Sequence, residues 1–324
     1  MFSATVLELD PRAETDRIIA AIREQVLGTL RKRGVVVGLS GGVDSSVVAA
    51  LSARALGRDR VLALFMPEHD SSAESLTLGR LAAENIGVSG LVEDIGSALD
   101  AAGCYRRQRE AIQRVLPEYS AGWKCKLVLP SILEGERLNV TRLVAADPGG
   151  ASRTVRLTAQ AYLELVAATN FKQRIRKITE YYHADRLNYA VAGTPNRLEY
   201  DQGFFVKQGD GAADFKPIAH LYKTQVYQLA RYLEIPEEIT SRPPTTDTYS
   251  LPQTQEEFYF ALPYQRMDLC LYGHNHKVPA EHVAAAVGLK ADQVERVFRD
   301  IEAKRRATRS LHLAPLLIEQ PLEA

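Results

Sequence analysis

The 324-residue chain is 46% hydrophobic and 25% charged, enough apolar content for a globular protein with a large buried core. Its 40 basic and 40 acidic side chains cancel, which argues against a general nucleic-acid or membrane-surface binder. Three scattered cysteines (Cys104, Cys125, Cys270) exclude a disulfide framework; with no signal-peptide pattern and no apolar run near the roughly 18–20 residues that span a bilayer, the expected location is the reducing cytoplasm.

Apolar residues at helical spacing from Asp16 to Arg33 predict an amphipathic helix that Gly34 stops. "VVVGLS" (Val35–Ser40) then reads as a buried strand, Ser45–Leu56 as a helix ending at Gly57, and Val61–Pro67 as the next strand. Ser75–Ile86 is a helix closed by Gly87, and Gly90–Ile95 a third strand. This alternation predicts an α/β fold with a doubly wound parallel sheet. Between about 104 and 158 the pattern changes to an exposed basic helix ("YRRQREAIQRVL") and a β-prone stretch with the turn "DPGG" (Asp147–Gly150). That region reads as an insertion, a hairpin or lid, in one domain spanning 1–324. Helical spacing resumes over Thr158–Ala184, a strand end follows at Tyr189–Thr194, and Tyr222–Leu233 is a helix. "IPEEITSRPPTTD" is a proline-rich turn region, Ala280–Arg306 gives two short helices, and a Pro- and Leu-rich tail closes the chain. Two further stretches carry ordinary readings: "GHNH" (Gly273–His276) is a polar loop, and Cys125 in "WKCK" a bystander thiol.

The chemistry concentrates in "SGGVDSS" (Ser40–Ser46). Gly41 and Gly42 let the backbone approach a ligand, and the strand-to-helix turn converges amide N–H groups and a helix N-terminus on one point, an anion site. Ser40, Ser45 and Ser46 add hydroxyls, and Asp44 adds a carboxylate suited to a magnesium ion bridging phosphates. No lysine follows, as a Walker loop would require, so γ-phosphate chemistry is not expected.

The string S-G-G-x-D-S after a valine run resembles the signature loop of the ATP pyrophosphatases. That resemblance implies cleavage of ATP between the α- and β-phosphates, with the loop holding the departing pyrophosphate, on an adenine nucleotide alpha hydrolase-like (Rossmann-like) fold. "NFKQRIRK" (Asn170–Lys177), the run from Ala192 to Val226 and "RPPTTD" (Arg242–Asp247) follow in order. Together they resemble the ammonia-dependent NAD synthetases, over most of the chain from about 16 to 247.

The resemblance implies an ATP site of Gly38, Ser40, Gly41, Gly42, Asp44, Ser45, Ser46, Met66, Thr194, Lys223 and Thr245. Lys223 would act as a point charge on pyrophosphate, and Asp44 with Glu199 would hold Mg2+. It places Asn170, Arg174, Phe204, Lys207, Asp210 and Asp214 on the side of nicotinic acid adenine dinucleotide. Asp210 would also steer ammonium in and help it lose a proton. Lys304 and Arg305 match a mobile basic segment that closes over substrate. The family also implies a homodimer; with only some 30 residues before the first strand, a glutaminase would have to be a separate protein, and ammonia is the expected donor.

Three departures fall mostly on the acceptor side. "GTPNR" (Gly193–Arg197) carries Pro195 and Arg197 where the family has a small residue and lysine; Gln255 stands where an acidic segment has aspartate; and the 104–158 insertion has no counterpart in the short bacterial form. They leave open a related ATP-dependent amide ligase acting on another carboxylate. A non-catalytic nucleotide binder is disfavoured, because binding alone does not need Asp44, Glu199 and Lys223 together.

Overall fold

The computed structural model describes residues 2–129, 133, 141–246, 248–260 and 262–319. The middle of the expected insertion, Asp247 of "RPPTTD" and the end of the tail lie outside the described residues. Asp10 accepts from the N–H groups of Arg12 and Ala13, and Pro11 takes the first helical position, so α1 (Pro11–Arg23) begins earlier than its apolar spacing suggests. It ends in wider, π-type turns over Glu24–Thr29.

β1 (Val35–Gly38), α2 (Val43–Leu56), β2 (Val61–Phe65), α3 (Ala73–Ile86) and β3 (Ser89–Val92) follow in strict alternation. After a long excursion β7 (Ala190–Val191) returns to the other side of β1, giving a parallel sheet of order β3-β2-β1-β7. Alternating side chains cover both faces. Val35, Val37, Ala63 and Phe65 pack under α1, α2, α3 and α8 (Lys223–Tyr232). Val36, Leu64 and Val191 pack under α4 (Gly96–Ala101), α5 (Cys104–Gln113) and the 29-residue α6 (Ala159–Leu187). Each such fully buried Val or Leu stabilises the fold by roughly 1.5–3 kcal/mol. The doubly wound sheet is therefore as expected, and its order of addition reverses between β1 and β7. Open α/β sheets bind ligands at the carboxyl ends of the strands beside such a reversal.

Within 104–158 lies a second, antiparallel sheet of β4 (Lys124–Val128), β5 (Arg142–Ala146) and β6 (Ser152–Arg156), in the order β4-β5-β6. Asp147 closes the β5–β6 turn by accepting from the Ala151 N–H at 2.9 Å. Cys125, Leu127, Leu143 and Ala145 form its inner face against α5 and the start of α6. Cys125 is fully buried and burial pushes its thiol pKa up, so it is a core residue.

The short helices α7 (Arg197–Gln202) and α9 (Glu237–Thr240) are followed by α10 (Tyr264–Asn275), α11 (Ala280–Val287) and α12 (Ala291–His312). Two expectations need correcting here. The two short helices of 280–306 are one short and one long, because Gly288 alone breaks the run and no Gly or Pro interrupts Ala291–His312. "GHNH" is not a loop: it forms the C-terminal turn of α10 and its cap, with His276 stacked on Tyr272 at 4.1 Å. The α10–α12 unit shares a core with Leu198 of α7 and Tyr222 at the head of α8, which fixes where those two helices begin.

Candidate active site

At the carboxyl ends of β1, β2 and β7 opens a cavity of about 1100 Å³. It runs from the glycine loop to Leu129 and Thr141 of the antiparallel sheet region. Gly38, Ser40, Gly42, Asp44 and Ser45 line one end, with Met66, Thr194 and Thr245 around them. Gly41 and Ser46 do not line it; they shape the loop. Gly41 has φ of +79°, and a Cβ there would meet the Ser75 carbonyl oxygen at 2.6 Å. Ser46 Oγ donates to the Gly42 carbonyl at 2.9 Å and Ser45 Oγ to the same oxygen at 3.1 Å. The turn is thus braced from within while its amides and the N-terminus of α2 face the cavity.

Charge gathers at the mouth of this loop. Asp44, in the first turn of α2, accepts from the buried Lys223 ammonium, the first residue of α8. Its other oxygen accepts from Asn196 Nδ2 at 3.0 Å. Asn196 caps α7 in a reciprocal box: its Oδ1 accepts from the Glu199 N–H, and Glu199 Oε2 accepts from the Asn196 N–H, both at 3.2 Å. Gln255 Nε2 donates to Glu199 Oε1 at 2.8 Å. Burial pushes the Glu199 carboxyl up to about 7, and the charge of Asp44 adds to that against Lys223, Gln255 and the Asn196 N–H. Burial also opposes the charge on Lys223, but Asp44 and Glu199 outweigh it and raise its pKa. The head of α8 is held in turn by Asp268 of α10, which accepts from the Thr224 N–H at 2.7 Å and from its hydroxyl.

The same cavity is also lined by Asn170, Arg174, Phe204, Lys207, Asp210 and Lys304. Phe204 stacks on Tyr259 at 4.7 Å. Lys207 Nζ donates to the Ser310 carbonyl at 2.8 Å near the end of α12, and Arg174 Nε to the Lys207 carbonyl at 3.3 Å. Asp210 accepts from the Val206 N–H at 2.7 Å, and burial raises its pKa. Lys304 pairs with Asp300 at 2.6 Å and donates to the Tyr259 carbonyl at 2.6 Å; burial lowers its pKa against that pairing.

Besides Gly41 and Ser46, two expected residues of the acceptor side are not brought to the cavity. Asp214 turns back to the sheet, accepting from the Val191 N–H at 2.7 Å and the Tyr181 hydroxyl at 3.2 Å. Arg305 is clamped by both oxygens of Asp201, at 2.7 and 2.8 Å, and by Asn275. The pair Lys304–Arg305 is therefore divided, one side chain in the cavity and one in the seam between α12, α7 and α10. Asn196 is an addition that the sequence reading missed, and Gln255, singled out there only as a departure on the acceptor side, is found on Glu199. "NRLE" (Asn196–Glu199) does carry the spacing of a capping box; nothing local pairs Gln255 with Glu199, 56 residues away.

The description of the NAD synthase family matches residues 14–115 and 141–309. The NH(3)-dependent NAD(+) synthetase of Mesorhizobium japonicum is 66% identical over 312 residues, 96% of this chain and 98% of that protein. The protein of the same name from Rhizobium meliloti is 61% identical over 100% of this chain and 96% of its own length. Among solved structures, the NH3-dependent NAD synthetase of Campylobacter jejuni, in complex with nitrate, superposes with a TM-score of 0.64 at 22% identity, covering 96% of this chain and 100% of that one, which speaks to the fold. Matched on both sides of residues 116–140 and alike to those two relatives over nearly their whole length, the chain belongs to the NAD synthase family.

Proposed function

We propose that the protein is an ammonia-dependent NAD synthetase, a ligase that forms a carbon–nitrogen bond at the expense of ATP. The observation that carries the reading is one cavity lined both by a glycine loop with Asp44, Lys223 and Glu199 and by aromatic and basic side chains. The near-full-length relatives named NH(3)-dependent NAD(+) synthetase support it.

In this reading a carboxylate oxygen of nicotinic acid adenine dinucleotide attacks the α-phosphorus of ATP, and the bond to the bridging oxygen of pyrophosphate breaks. The loop amides and the α2 N-terminus take the negative charge of the departing pyrophosphate, and Lys223 adds a full positive charge there. Ammonia then adds to the acyl carbon, loses a proton, and expels AMP. Asp210 is the proposed acceptor of the ammonium proton, since burial raises its pKa towards that of a useful base.

Magnesium fits the donor set. No cluster of three or more metal-ligating side chains occurs among the described residues, and Mg2+ is ordinarily held by one or two carboxylates with phosphate oxygens and water completing its shell. Asp44 and Glu199 would hold it, and it would neutralise charge developing on the phosphates.

One incubation tests the function: the purified chain with ATP, Mg2+, ammonium and nicotinic acid adenine dinucleotide yields NAD, AMP and pyrophosphate in equal amounts. Glutamine in place of ammonium yields none. AMP release that demands a different carboxylic acid would overturn the substrate assignment.

A further inference from the structure

Residues 244–246 and 248–257 lie along the free edge of β4. The Leu251 N–H donates to the Cys125 carbonyl and the Leu129 N–H to the Glu257 carbonyl, both at 3.0 Å. The Cys125 N–H donates to Ser250 Oγ at 2.9 Å, and the buried Gln253 side chain donates to the Leu127 carbonyl. Lys126 reaches Glu257 at 3.0 Å and the Pro252 carbonyl at 3.3 Å. The segment also closes on itself: Thr245 bridges to Thr254, and the Gln255 N–H donates to the Pro244 carbonyl at 2.9 Å. The backbone of Gln255 is therefore fixed by the antiparallel sheet before its side chain is considered.

From that fixed point Gln255 Nε2 reaches Glu199 Oε1 at 2.8 Å, while Glu199 Oε2 is held by the Asn196 N–H at 3.2 Å. Each oxygen of the carboxylate has one N–H donor, supplied from a different segment. A neutral amide suits this place, because an acid here would set a third negative charge against Glu199 and Asp44. A long glutamate chain otherwise samples several rotamers, and a carboxylate that is to meet a cation is commonly oriented by just such outer hydrogen bonds.

We infer that Gln255 is a positioning residue that aims the Glu199 carboxylate at the phosphate end of the cavity, with the β4–β6 sheet as the platform that delivers it. The inference rests on the reading of Glu199 as a metal-side carboxylate. It gives the sheet a role in nucleotide binding in addition to lining the acceptor end.

Gln255→Met keeps the side-chain length and removes the donor. Calorimetric titration with α,β-methylene-ATP, in the presence and absence of Mg2+, reads the effect without turnover. The wild-type chain binds this analogue more tightly with Mg2+. Gln255→Met loses tenfold or more of that enhancement and keeps its metal-free affinity. Lys126→Met, which loosens the platform at a partly exposed site, loses a few-fold in the same direction and carries the test should Gln255→Met fold poorly. An enhancement equal to wild type in both variants overturns the inference. So does an equal fall with and without Mg2+, which is the signature of general loosening. A wild-type chain with no Mg2+ enhancement sinks the metal reading of Glu199 itself, and that is seen before any variant is made.

Discussion

Lys223 and Asp44 neutralise each other, and Glu199 stands beside them with a proton affinity raised by burial. Each member has a separate task in the proposed reaction. Asp44→Ala and Glu199→Ala are expected to abolish adenylate formation, read as pyrophosphate release, in proteins that keep the wild-type circular dichroism. Lys223→Met is expected to lower kcat by about 10²–10³, the usual cost of removing one group that stabilises developing charge. Near-normal turnover in any of the three refutes its assigned role. Asp268 offers a test of stability instead. Burial pushes it up to about 6, above the roughly 3.9 of an unfolded aspartate. Its contribution to stability is complete below about pH 4 and is lost as pH rises through 6. Asp268→Asn keeps an acceptor for Thr224 and titrates nothing, so urea denaturation should show its stability gaining about 3 kcal/mol on wild type between pH 4 and pH 7. A difference that stays constant with pH rules this out. Residues of this kind divide by how far away their partners are. The glycine loop is legible in sequence because Gly41, Gly42 and the serines do their work on neighbouring backbone. Asn196 was half legible through its capping box, whereas Gln255 and the outward turn of Arg305 depend on segments that meet only after folding.

Among the elements, the strands and helices of the parallel sheet follow from apolar runs punctuated by Gly34, Gly57 and Gly87. α12 was harder, since its polar composition hides one long helix whose inner side is set by α10 and α11. The docking of segment 244–257 on β4 could not be read at all, because that segment forms no regular strand of its own. Its strength depends on Gln253, which is 5% exposed. Gln253→Ala leaves the Leu127 carbonyl without its side-chain donor at a cost of about 1–3 kcal/mol. Hydrogen exchange is expected to quicken in 244–257 and in β4 together, leaving β1 and β2 as slow as in wild type; exchange that quickens uniformly would show that this contact belongs to the global fold. Lys172 ties the same segment from beneath: it is fully buried, pairs with Asp70 at 2.6 Å and donates to the Thr248 carbonyl at 2.8 Å.

For the molecule as a whole, no described helix is long and apolar enough to cross a membrane. α6 nonetheless presents Leu163, Ile178 and Tyr182 to solvent, at 65%, 63% and 63% exposure. At about 100° per residue they fall within roughly 100° of arc, one side of the helix. We propose that this stripe is a contact surface of the homodimer that the family resemblance implies. Sedimentation of the wild-type chain should give twice the mass of one chain, and the double variant Ile178→Asp, Tyr182→Asp should give the mass of one; a wild-type monomer, or a dimer indifferent to the change, removes the proposal.

The counter-charge of the glycine loop lies 179 residues downstream of Asp44. A loop with its own lysine is electrostatically complete as soon as its strand and helix form; this one is not. The loop and the first turn of α2 lie within the first sixty residues, but the lysine that pairs with Asp44 arrives only with α8. On the proposed reading the full electrostatic complement of the nucleotide site is therefore a late acquisition of the growing polypeptide, reached when α8 is translated and docked. Productive nucleotide capture, as proposed, would accordingly report that the chain has folded from the glycine loop through to α8.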